Sequence, residues 1–160
     1  MKVVTPVLIG AAAGALSTVA MSAVMLGAKR AGITGELPPE RITRRAIDAV
    51  SSDPPDDHSP DALAAVAHLG FGASAGALFG LLVTRTGAVH GSAAIAALMG
   101  VMYATGIWLV SYQGWVPALR IMPPASSDRR GRVVTMLAAH WVYGAALGIL
   151  TSIWRGRSLS

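Results

Sequence analysis

Four stretches of this chain, residues 7–28, 63–83, 91–112 and 133–154, contain no Asp, Glu, Lys or Arg. Each is close to the roughly 20 residues that an α-helix needs to cross about 30 Å of hydrocarbon. In lipid the backbone N–H and C=O groups must find partners within the protein, which leaves helices and closed barrels as spanning structures. The runs are continuous rather than alternating and are filled with Ala, Gly, Leu and Met, so they read as helices. Composition agrees, with 53% hydrophobic and only 13% charged residues, against roughly 25% charged in soluble domains. The expected fold is an all-α polytopic membrane protein, a single domain over residues 1–160, with four transmembrane helices as two tandem helical hairpins. The first run exceeds the about 7 to 15 apolar residues of a signal-peptide core and is read as a retained span.

The 13 basic residues are unevenly spread. Loops 29–62 and 113–132 hold nine of them (Lys29, Arg30, Arg41, Arg44, Arg45, Arg120, Arg129, Arg130 and Arg132), and the other face holds Lys2, Arg85, Arg155 and Arg157. Lys and Arg collect on the cytoplasmic side. Both large loops are therefore expected in the cytoplasm and both termini outside, in a multi-pass protein. The net charge of +5 points to anionic lipid headgroups, met by Arg41, Arg44, Arg45, Arg129 and Arg130. A nucleic-acid partner would need a folded basic surface outside the bilayer, and none is expected. Cysteine is absent, which removes disulfides and thiolate metal sites.

Two segments nearly repeat one another: AHLGFGASAG at 67–76 and AHWVYGAALG at 139–148. The likeness extends upstream, where Pro38-Pro39 precedes Arg44-Arg45 by the same four residues that separate Pro123-Pro124 from Arg129-Arg130. The proline pairs lie 85 apart and the histidines 72, so the first half carries an insertion of 13, for which the polar run SSDPPDDHSP at 51–60 is the natural candidate. This pattern suggests a duplicated two-helix unit. Parallel repeats of this kind relate by an axis along the membrane normal. Residues 38–50 open with proline and repeat an apolar position every four residues, at Ile42, Ala46 and Val50, opposite the arginines; they read either as a short interfacial helix or as a solvated charged helix with a weak apolar stripe.

His68, Gly72, Gly76 and Gly80 share one helical face, as do His140, Gly144, Gly148 and Ser152. Rows of small residues let helix backbones approach closely, and Gly10, Gly14, Thr18 and Ser22 offer a matching surface on the first span. The glycines are packing devices first, and Gly72, Gly76, Gly144 and Gly148 are also candidates to border a ligand. An imidazole in a span faces the bundle interior or a wet cavity. Three readings stay open for the His68 and His140 pair. The leading one is structural, with each ring tied to a carbonyl or to a hydroxyl such as Ser17, Thr18, Ser74 or Tyr103. In the second they are axial ligands of a haem lying on the glycine faces. In the third they form a proton-responsive or ion-binding pair in a carrier or channel.

The absence of acidic residues from the four runs weighs against a proton pump. Met21, Met25, Met99, Met102 and Met136 read as gap fillers rather than copper ligands. No phosphate loop, dinucleotide fingerprint or HExxH appears, so no enzymatic activity and no cofactor are expected. His58 and His90 sit at loop and membrane edge, with no role assigned. Tyr112, Trp115 and the prolines 117, 123 and 124 read as an interfacial anchor. Small-residue faces left on the outside would pair with a second copy or another membrane protein.

A small-residue first span, a Pro-Pro loop, AHLGFG at 67–72, GWVP at 114–117 and HWVYGAALG at 140–148 together resemble the YagU-like bacterial inner-membrane proteins of unknown function. The resemblance covers most of the chain and implies a small polytopic bacterial membrane protein. It implies no reaction and carries over no catalytic residue. The function expected from the whole is that of a small accessory or stress-related membrane protein with a binding centre between spans 2 and 4.

Overall fold

The computed structural model describes residues 4–50, 59–86 and 92–157. Residues 51–58 with His58, most of the stretch 51–60 read as a candidate insertion, the connection at 87–91 with His90, and both chain ends lie outside them. The described residues are all-helical and contain no strand. Helices α1 (Val4–Arg30), α2 (Pro38–Val50), α3 (Ser59–Thr86), α4 (Ala93–Trp108) and α5 (Arg130–Arg157) follow in order. Four helical segments are long and apolar enough to cross a membrane: Val4–Arg30, Asp61–Val83, Ala93–Ala118 and Arg130–Gly156. Leu8, Val19, Val66, Leu98, Met102 and Val110 point outward and are exposed. An apolar exterior of this extent suits lipid rather than water, so the chain is built as a membrane protein.

The third span runs further than its sequence suggests. Beyond Trp108 the helix widens into a π-helix, Leu109–Trp115, and closes with the turn Val116–Ala118. Pro117 has no N–H and its ring crowds the carbonyl one turn back, so the ordinary α ladder cannot continue through it. The wider turn absorbs the fault, with the Val116 N–H donating to the Ser111 carbonyl. Arg120, at φ 56°, ends the segment in a left-handed conformation usually left to glycine. Tyr112 is thereby buried rather than serving as a surface anchor.

Each hairpin closes backbone to backbone. In the first, a Cβ added at Gly10 or at Gly14 would strike the carbonyl oxygen of Gly76 or of Gly72, and one at Gly76 would come within 2.7 Å of the Gly14 Cα. In the second, Gly100 and Gly144 face each other's carbonyls, and Gly148 faces that of Ala96. Gly10 with Gly76 and Gly14 with Gly72 thus have the same register as Ala96 with Gly148 and Gly100 with Gly144. Lipid offers no hydrophobic force between helices, so such close approach is what holds them. Ser22, expected in the same seam, is not met by any of these glycines.

Helices α1 and α5 pack against each other and join the hairpins, giving the spatial order α3, α1, α5, α4. The outer pair, α3 and α4, is bridged by side chains: the Tyr103 hydroxyl donates to the Ala75 carbonyl at 2.8 Å, and the Phe79 and Tyr103 rings lie 5.2 Å apart. Helix α2 rests on α3 across one end of the bundle. Pro38 opens it, and the Glu40 carboxylate reaches back to accept the Leu37 N–H at 3.1 Å, a capping arrangement. Ile42 packs on a small apolar cluster of Val116, Ile121 and Met122.

Candidate functional site

Because α3 and the end of the third span stand apart beneath α2, the bundle encloses a cavity of about 270 Å³ at that end. All four spans and α2 contribute to its wall, which is overwhelmingly apolar: Met21, Met25, Ile42, Ala64, Ile107 and Met136 are among the lining side chains. The π segment supplies Ser111, Tyr112 and Trp115, and the turn after it Val116. Phe71 and Trp115 line the cavity and are themselves 53% and 37% exposed, so it opens sideways between α3 and the third span.

His68 and His140 both line this cavity. They stand about 14 and 15 Å along the axes of α3 and α5 from the first residues of those helices. The His140 Nδ1 lies 2.7 Å from the Met136 carbonyl oxygen. A carbonyl only accepts, so Nδ1 carries the proton and Nε2 of the neutral ring is the acceptor. The His68 Nε2 is buried and has no hydrogen-bond partner. Ser17, Trp108, Thr151 and Arg155 also hold one such atom each, but none of the four lines the cavity.

The hydroxyls of the wall are differently placed. Thr18 donates to Gly14 O and Tyr143 to Gly72 O, both at 2.8 Å, Ser111 donates to Ile107 O at 2.7 Å, and Tyr112 to the Asp128 carboxylate at 2.5 Å. Of the four glycines singled out beside the histidines, Gly72 borders the cavity. Gly76, Gly144 and Gly148 are covered by the facing helix backbone. The flat faces on which a macrocycle would rest are therefore closed by packing. Among the described residues no group of three or more His, Cys, Asp or Glu side chains comes together.

A second polar cluster was not legible in the sequence. Asp128 and Arg132 pair at 2.8 Å with their side chains only 2% and 9% exposed. Asp128 also accepts from Tyr112, and the Arg132 Nε donates to the Thr34 carbonyl at 3.0 Å. The network ties the loop after α1, the end of the third span and the start of α5. The spacing of four between Asp128 and Arg132, astride the first residue of α5, was the available signal. The arginines expected at the membrane surface divide. Arg41 and Arg44 reach Glu36 at 3.9 and 3.6 Å, while Arg44, Arg45, Arg129 and Arg130 are exposed at the α2 end of the bundle.

A family model covers residues 4–159 and is described as a family of unknown function, DUF6789. The chain belongs to that family. No curated protein and no solved structure matches it. The likeness to YagU-like proteins rests on the short motifs alone. Family membership brings no chemistry with it, so the reading of the cavity comes from its geometry.

Proposed function

We propose that this DUF6789 protein is a small, non-enzymatic, accessory protein of a bacterial inner membrane that holds a lipid-soluble molecule between α3, α5 and the third span. One observation carries the reading: two histidines, His68 and His140, stand in the wall of a cavity whose remaining lining is mostly apolar. The space suits such a guest, since an apolar cavity of about 150 Å³ already holds a benzene ring. The sideways opening faces the acyl region, from which a lipid-soluble molecule would come. An apolar wall with no acidic residue favours such a guest over an ion. The matching glycine registers and the repeated motifs support descent from a duplicated hairpin, with the cavity at the end lined by both histidines.

The test is to purify the protein in mild detergent, extract it with organic solvent and identify what is released. The wild type should release a defined compound that an Ala67→Trp variant, blocked at the cavity wall, does not. Identical extracts from both, with both folded, would overturn the reading. The same sample reports on haem, since a Soret band would reassign the histidines as axial ligands.

A further inference from the structure

The hydrogen bonding of the cavity wall also selects the guest's chemistry, an inference that rests on the cavity being a binding site. Of the wall's hydroxyls, Thr18, Ser111, Tyr112 and Tyr143 donate to acceptors within the protein. His140 donates its ring proton to the Met136 carbonyl. A neutral imidazole has one N–H and one bare nitrogen, so His140 presents Nε2 as an acceptor. A guest that can only accept, such as a ketone, ester or ether, would leave that lone pair unmatched in a dry site. A guest that donates satisfies it. The walls are aromatic on several sides, through Phe71, Tyr112, Trp115 and Tyr143, and aromatic rings pack well in edge or offset contact.

We propose that the cavity binds an uncharged aromatic hydroxyl compound with an apolar tail, a phenol or hydroquinone, whose O–H donates to His140 Nε2 while the ring lies among the aromatic side chains and the tail leaves through the opening between Phe71 and Trp115.

The experiment compares two probes of matched shape, para-octylphenol and para-octyltoluene, titrated into the full chain in detergent, each corrected for its partition into protein-free micelles. The phenol should bind about tenfold more tightly or better, the value of one well-formed hydrogen bond, and His140→Leu should erase the difference. Because that variant also loses the bond to the Met136 carbonyl, NMR of nitrogen-labelled histidine in the wild type gives a second readout independent of its folding: the bare Nε2 signal of His140 should shift with the phenol and stay in place with the toluene. Equal binding of both probes, or an Nε2 that is already protonated, would overturn the donor chemistry and leave the cavity reading standing. Failure of both probes to bind folded protein would overturn the two together.

Discussion

The hydroxyl of Tyr143 on α5 donates to the backbone carbonyl of Gly72 on α3 across 2.8 Å, joining residues that are 71 positions apart. The bond ties one hairpin to the other at the cavity wall. Hydrogen bonds between helices in a membrane are worth about 0.6 kcal/mol on average and up to about 1.7. Tyr143→Phe should therefore lower stability by an amount in that range, read as a drop in the thermal midpoint in detergent. No drop would mean that the bond is not formed.

Glycines in this chain fall into two groups that a substitution series will separate. Gly76→Val and Gly144→Val put a side chain into the facing backbone and should abolish folded monodisperse protein in size-exclusion chromatography. At Gly70 and Gly106 an added Cβ meets nothing within 4 Å. Alanine there should be neutral or stabilising by up to about 1 kcal/mol, the helix-propensity gain.

Asp128→Ala leaves the Arg132 guanidinium buried without its carboxylate. Breaking a buried pair from one side costs about 3 to 5 kcal/mol, so most of the protein should fail to fold, as judged by yield and thermal midpoint. Replacing both partners, as Asp128→Ala with Arg132→Met, should recover a large part of the loss, because an apolar substitute carries no unpaired charge. A double variant no better than the single one would show that the Thr34 and Tyr112 contacts, rather than the charge, matter most.

Arg120→Gly should stabilise the chain by about 1 kcal/mol, since the left-handed conformation there costs a side-chain-bearing residue and not glycine. A raised thermal midpoint is the expected result. An unchanged or lowered one would point to the arginine side chain compensating for the strained backbone.

The cysteine-free chain makes orientation simple to measure. Ser126→Cys should react in intact cells only with a membrane-permeant maleimide, and Ser92→Cys with an impermeant one as well, if the arginine-rich loops face the cytoplasm. The reverse pattern would invert the orientation read from Lys and Arg.

Much of the scaffold was legible from local pattern. The charge-free runs, the proline-started amphipathic helix at 38–50, and the seam of Gly10, Gly14 and Thr18 against Gly72 and Gly76 depend on residues close in sequence or on a single helical face. Asp128 was not legible because it sits among Ser126, Ser127 and Arg129 in a stretch that reads as solvated loop. Its side chain is covered because Arg132 and, from the π-helical end of the third span, Tyr112 close on it. Tyr103 and Tyr143 were likewise invisible as ties, since their acceptors are backbone carbonyls of another helix and leave no mark on composition.

Sequence alone determined that this protein has four spanning helices, because lipid satisfies no backbone group and an uncharged run of that length has one stable form. Tertiary structure decided which small-residue faces are spent on packing and which one borders open space. That outcome follows from the pairing of α1 with α3 and of α4 with α5, which covers Gly76, Gly144 and Gly148 at helix crossings and leaves Gly72, His68 and His140 bordering the cavity.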